Sequence, residues 1–181
     1  MSHPRVHRGD DGSTDLLGKV SMSKAHIRIE TLGVLDEASA ALGLARASSR
    51  SPQTIAMVKD IQRDLYVLMT ELAATPENVG RYRKMDRSRI EWLEFQIGML
   101  ENQVPAPGGF ILPGDSFAGA AFALARTIIR RAERRVAELA LQGEETSQNV
   151  LPYLNRLSLV CFWLELTENR SAGADTSLAR D

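Results

Sequence analysis

Apolar residues recur at helical spacing along almost the whole chain, and few segments alternate as strands do. A chain patterned this way hides its apolar stripes by packing helix on helix, which makes it all-α. Five stretches carry the pattern. The first runs from about Lys24 to Ser48, with Leu32, Leu35, Leu42 and Ala45 on one face. The second opens at Ser51-Pro52, an N-cap followed by proline at the first helical position. Ile55, Val58, Ile61, Leu65, Leu68 and Leu72 form its stripe, which fades near Thr75-Pro76. The third begins near Asp86 or Ser88, carries Ile90, Leu93, Ile97 and Leu100, and ends before Pro105.

The fourth stretch follows Pro113-Gly114 and is capped by Asp115 or Ser116. Its inner face is small: Ala118, Ala121, Ala125 and Ala132, with Ile128 and Val136. Gly143 is its expected stop. The fifth runs from about Gln148 to Asn169 through Leu151, Leu154, Leu157, Cys161 and Leu164. Residues 24–170 thus form one helical domain, preceded by a non-helical segment at 1–23. Residues 171–181 are small and polar, and are expected to form a disordered tail. Residues 76–85 and 105–115 read as loops, the second carrying Phe110, Ile111 and Leu112. Long irregular connections in a compact bundle are often functional.

A length of 181 residues fits one domain with a real core. Lys+Arg 22 against Asp+Glu 23 leaves a net charge of -1, so the whole-chain charge argues for neither nucleic acid nor a membrane surface. No run approaches the ~20 apolar residues of a membrane span. Met1-Ser2-His3-Pro4-Arg5 has no apolar signal core, so a cytoplasmic location is expected. The single cysteine, Cys161, lies in an apolar run and reads as a buried small hydrophobe. His3, His7 and His26 come with no carboxylate pattern for zinc, and no side-chain metal cage is expected.

Three patterns have chemical content. Gly9-Asp10-Asp11-Gly12-Ser13-Thr14, followed by Lys19 and Lys24, suits a loop whose N–H groups cradle an anion. It lacks Walker spacing, and taken alone these residues read first as a plain Asx-type turn. Arg126, Arg130 and Arg134 share one helix face, with Arg131, Arg135 and Glu133 beside them. Such a row grips phosphate oxygens or forms a solvated, salt-bridged face. Asp36 adjoins the buried stripe of the first helix and reads as an exposed acid or an arginine's partner. Asn155 falls in a long apolar stretch, where it bonds a nucleotide or caps buried backbone.

Taken in order, these blocks resemble the PduO-type ATP:cob(I)alamin adenosyltransferases. The loop resembles that family's G-D-x-G-x-T, and Arg28 to Glu37 its R-x-x-x-x-G-x-x-D-E. Phe110-Ile111-Leu112-Pro113-Gly114 and Ala125 to Arg134 resemble F-x-x-P-G and A-R-T-x-x-R-R-A-E-R. Tyr153 to Ser158 is similar to Y-L-N-R-L-S. The resemblance implies a homotrimer of five-helix bundles with ATP between subunits. It implies that Gly9, Asp10, Gly12, Ser13, Thr14 and Lys24 hold triphosphate and Mg²⁺. Arg130 and Asn155 would contact ATP, with Glu133 and Arg134 nearby. Asp36 would pair with Arg126 across the subunit boundary, and Phe110 would press on the corrin ring of cobalamin. A corrinoid reductase and an adenosylcobalamin-dependent mutase or dehydratase would be its partners. The alternative is a non-catalytic ATP or corrinoid carrier or sensor. Ala123 and Leu159 depart from the pattern, standing where the family has His and Asp, and Val6 and Arg8 replace threonines.

Overall fold

The structure, a computed structural model, describes residues 9–18, 20–144 and 146–180. Lys19 and residues 1–8 of the N-terminal segment, with His3, Val6, His7 and Arg8, lie outside the described residues. A two-stranded antiparallel hairpin comes first, β1 (Ser13–Asp15) against β2 (Ser21–Ser23), with Thr14 opposite Met22. Helices follow: α1 (Ile27–Ser48), α2 (Pro52–Leu72), a one-turn α3 (Val79–Tyr82), α4 (Arg87–Glu101), α5 (Phe117–Leu141) and α6 (Val150–Ser171). The five long helices form the all-α bundle that the apolar periodicity predicts. α1 and α6 flank α5; α2 packs on α1 and α4 on α6. Among the described residues no helix is long and apolar enough to cross a membrane.

Local chemistry sets the helix ends. The Ser51 hydroxyl accepts the Thr54 N–H at 3.2 Å, with Pro52 opening α2. Ser116 caps α5 by accepting the Gly119 N–H at 2.9 Å. At the far end of α5 the Gly143 and Glu144 N–H groups bond the Ala140 and Leu139 carbonyls at 3.1 and 3.2 Å, a Schellman stop. α6 ends the same way, since Gly173 at φ 73 lets the Ala174 N–H reach the Asn169 carbonyl at 3.0 Å.

That second stop corrects the expectation of a disordered tail for 171–181. The turn sends residues 174–180 back along the 105–115 connection. The Leu112 N–H bonds the Ser177 carbonyl at 2.8 Å, and the Ala179 N–H bonds the Phe110 carbonyl at 2.7 Å. Asp115 accepts both the Ser177 N–H and hydroxyl, and the hydroxyl bond is the chief reason its carboxyl lies below the usual range. Backbone bonds and the Asp115 carboxylate share this anchoring, so small polar residues suffice.

α5 and α6 approach closely near these stops. A Cβ on Gly119 would lie 2.0 Å from Asn169 Oδ1, an atom held in place by the Ser116 hydroxyl at 2.7 Å. Gly119→Ala is expected to cost about 1–3 kcal/mol through overpacking. A urea midpoint unchanged from wild type would show that the two helices part freely here.

Candidate active site

The N-terminal loop is wound around its own acids. Gly9 and Gly12 take φ of 93 and 80, and the Gly12 N–H bonds the Gly9 carbonyl at 3.2 Å. Asp11 accepts the Ser13 hydroxyl at 2.7 Å and its N–H at 3.0 Å, an Asx turn. The hydroxyl bond is the main reason the Asp11 carboxyl sits below its ordinary value. Lys24 clamps the loop from β2's exit, its Nζ donating to the Gly9 carbonyl at 2.6 Å and its N–H to the Gly12 carbonyl at 2.8 Å. Gly9, Ser13, Thr14, Asp15 and Lys24 line a cavity of about 440 Å³. The Asx turn is therefore present, with the Gly12 and Ser13 N–H groups bonded inside the loop, and beside it lies a concave polar surface with an ammonium at its edge.

On α5, packing sorts the arginines. Arg131 is paired with Glu37 of α1. Arg135 bonds Glu138 at 2.8 Å and lies 3.8 Å from Glu30 of α1. Among the described residues Arg130 and Arg134 have no ion-pair partner, and both are exposed. Asn155 of α6 donates to Glu133 at 3.2 Å, and its own amide oxygen accepts from Arg156 at 3.0 Å. Two unpaired cations thus adjoin an oriented amide across the α5–α6 groove, an arrangement suited to a polyanion with a polar head group. No hydrogen bond or ion pair joins Arg130 or Arg134 to the N-terminal loop within the described chain. Asp36 is exposed on α1 and forms no pair with Arg126 within the chain.

Phe110 is 89% exposed on the connection before α5. With Ala106, Pro107, Gly109, Ile111, Phe162 and Trp163 it lines a mainly apolar cavity of about 480 Å³, and Arg126 is the one charged residue in that wall. Arg126 is half-buried, and its Nε has no acceptor. An exposed aromatic beside an apolar cavity is how a flat, largely apolar ligand is received.

Residues 5–168 match the cobalamin adenosyltransferase family. The chain belongs to that family. It is 38% identical over 166 residues to the corrinoid adenosyltransferase PduO of Citrobacter freundii, covering 91% of this chain and 49% of that protein. The chain therefore spans about half the length of the PduO relative. A corrinoid adenosyltransferase of Bacillus subtilis is 36% identical over 169 residues, covering 91% of this chain and 86% of the relative. Among solved structures, a PduO-type ATP:corrinoid adenosyltransferase from Lactobacillus reuteri superposes with a TM-score of 0.88 at 30% identity. The match covers 99% of this chain and 100% of that one, a phenylalanine-to-alanine variant complexed with cobalamin and ATP. An arginine-to-lysine variant of the same enzyme, complexed with ATP, gives 0.88 at 29% identity.

For a member of the cobalamin adenosyltransferase family, the structure brings Glu133 to Asn155 and Phe110 to Arg126 within one chain. Among the described residues no hydrogen bond or ion pair joins the N-terminal loop or Asp36 to either. Ala123 is buried on α5, and Leu159 is 40% exposed one turn beyond Asn155. Sequence reasoning missed Glu165, Trp163 and Asn169, each with a buried polar atom that has no partner. The available signal was a carboxylate between Leu164 and Leu166, inside an apolar run.

Proposed function

We propose that this chain transfers the 5′-deoxyadenosyl group of ATP to Co(I) of cobalamin, giving adenosylcobalamin and triphosphate. The observation that carries it is Phe110, exposed at the edge of an apolar cavity with Arg126 in its wall, in a chain of this family. In this reading Phe110 presses on the lower face of the corrin and displaces the axial base. An axial donor stabilises Co(II) against reduction, so removing it brings Co(I) within reach of a cellular reductant. The Co(I) electron pair attacks C5′ in line, the C5′–O bond breaks, and its electrons leave with triphosphate. The protein positions both ligands and offsets the charge on the departing phosphates. No side-chain base is needed, since no proton is transferred.

The triphosphate is assigned to the loop of Gly9, Asp10, Gly12, Ser13 and Thr14 with Lys24. The rest of ATP is assigned to Arg130 and Asn155, with Glu133 and Arg134 beside them. Arg130 and Arg134 are available because Glu37 and Glu30 engage their neighbours instead. Mg²⁺ fits this site as a passenger of the triphosphate. Among the described residues no group of three His, Cys, Asp or Glu is placed to hold a metal. A homotrimer is supported by the separation of the loop from the arginine row, which a neighbouring copy would close. Asp36, with no ion-pair partner among the described residues, would then meet Arg126 of the next subunit. The reading also carries a cytoplasmic location, a corrinoid reductase upstream and an adenosylcobalamin-dependent mutase or dehydratase downstream.

The test is incubation with ATP, Mg²⁺ and chemically reduced cobalamin, following the absorbance change of Co–C bond formation. Turnover is expected. Leu159, apolar and 40% exposed one turn from Asn155, favours a carrier as the second reading. Tight binding of ATP and cobalamin without turnover would establish that instead. Binding of neither would remove both.

A further inference from the structure

α6 carries a carboxylate in its most apolar stretch. Glu165 is 0% exposed, and neither of its oxygens has a hydrogen-bond donor. A buried acid with no donor is costly unless a positive charge faces it. Burial pushes Glu165 up to about 6; Arg126, across from α5, favours its ionised form, and Asp115, before α5, opposes it. Cys161, one turn earlier on α6, faces the same guanidinium, but burial pushes its thiol up to about 12, so it stays neutral.

Arg126 is equally unmet. Its Nε is buried without an acceptor, and among the described residues it has no ion-pair partner. Its side chain nonetheless forms part of the cavity wall with Phe110, Phe162 and Trp163. A charge half-buried at an apolar wall is stabilised by an acid within the same chain. Glu165 is the acid that faces it from the helix packed alongside.

We propose that Glu165 is a positioning residue, the in-chain counter-charge that holds Arg126 at the wall of the Phe110 cavity. The inference deepens the adenosyltransferase reading, on which the corrinoid occupant of that cavity rests. No hydrogen bond closes between the two groups, so the hold is electrostatic. The guanidinium stays free to meet a second acid, such as Asp36 of a neighbouring copy. Above about pH 6 Glu165 is ionised and Arg126 is held; below it Glu165 is neutral and the hold is lost. Corrinoid affinity should therefore fall as the pH drops through that value.

Two measurements separate this from the reading it rests on. The first needs no ligand. In protein labelled at glutamate carboxyl carbons, with the signal assigned by Glu165→Gln, Glu165 should titrate near pH 6. In Arg126→Met its midpoint should rise by about one pH unit or more, and in Arg126→Lys, which keeps the charge and guards against a misfolded variant, it should stay low. An unmoved midpoint in Arg126→Met overturns the proposal. The second is equilibrium titration with cob(II)alamin in the presence of ATP. At about pH 8 Glu165→Gln should bind on the order of tenfold more weakly than wild type, a coupling of ordinary size. At about pH 5.5, where roughly a quarter of Glu165 is still ionised, the gap should shrink to about threefold. Equal affinities at both values overturn the positioning role. If neither protein binds cob(II)alamin, the adenosyltransferase reading fails, and the carboxyl titration alone decides whether Glu165 and Arg126 are coupled.

Discussion

Phe110→Ala is expected to slow adenosylation from cob(II)alamin and a weak reductant about 10- to 100-fold, with little change when Co(I) is supplied preformed. Burying a phenylalanine against an apolar surface is worth about 1.5–3 kcal/mol. At roughly 1.4 kcal/mol per decade of rate, that sets the range. The effect belongs to reduction because the ring's task is to keep a donor off cobalt before Co(I) exists. Stability should hardly change. The ring is 89% exposed, and the loop is anchored by the Phe110 carbonyl and the Leu112 N–H, which the substitution keeps. A surface change of this kind stays within about 0.5 kcal/mol. Equal losses in the two assays would remove the wedge role. A large drop in melting temperature would show that the ring is structural.

Much of the bundle was legible because caps and periodicity are local. Ser51-Pro52, Ser116 and Gly143 stand at the helix ends where their chemistry puts them. Local signals fail where packing decides. Ile55 continues the α2 stripe yet is 37% exposed, because Thr54, one position around the helix, faces inward in that turn at 3%. Ile128 and Ile129 differ by about 100° around α5. Periodicity favoured the first, but Ile129 is the one fully buried. The 76–85 loop hides the single turn of α3, which rests on Asn78 bonding the Thr75 N–H at 2.8 Å and the Leu17 carbonyl across the chain, also at 2.8 Å. The docked tail was illegible because half its bonds are backbone bonds, indifferent to side-chain type, and the rest join Ser177 to an acid 62 positions away.

The candidate site divides the same way. The arginine row could be seen in the sequence, but not which members are free. That depends on Glu37 and Glu30, which α1 brings up from about a hundred positions away. In the glycine loop the structure shows the Asx turn, beside a polar hollow that the sequence could not outline. Glu165 was a carboxylate out of pattern, and only the α5–α6 contact gives it a partner. Where a polar residue breaks an apolar run, its meaning lies on the neighbouring helix.

Asp64→Ala should be strongly destabilising, and it shows how much such a partner matters. Asp64 is buried on α2 and receives Arg89 of α4 through Nε at 2.9 and 3.0 Å and Nη2 at 2.6 Å. It also accepts the hydroxyl of fully buried Tyr153 on α6 at 2.9 Å, so one carboxylate ties three helices. Arg89 lies 4.4 Å from the Trp92 ring centroid, which fixes its fork. Removing Asp64 leaves a guanidinium and a buried hydroxyl without acceptors. Breaking a buried pair costs about 3–5 kcal/mol, and partial exposure of Arg89 reduces that to about 2–4 kcal/mol. The melting temperature should fall by about 5–15 °C. Asp64→Asn keeps the volume and an acceptor for Tyr153, so its loss should be clearly smaller. Tyr153→Phe should cost about 1 kcal/mol, one hydrogen bond. If Asp64→Ala melts within about 2 °C of wild type, apolar packing alone holds α2, α4 and α6 together, and the network is there for another reason.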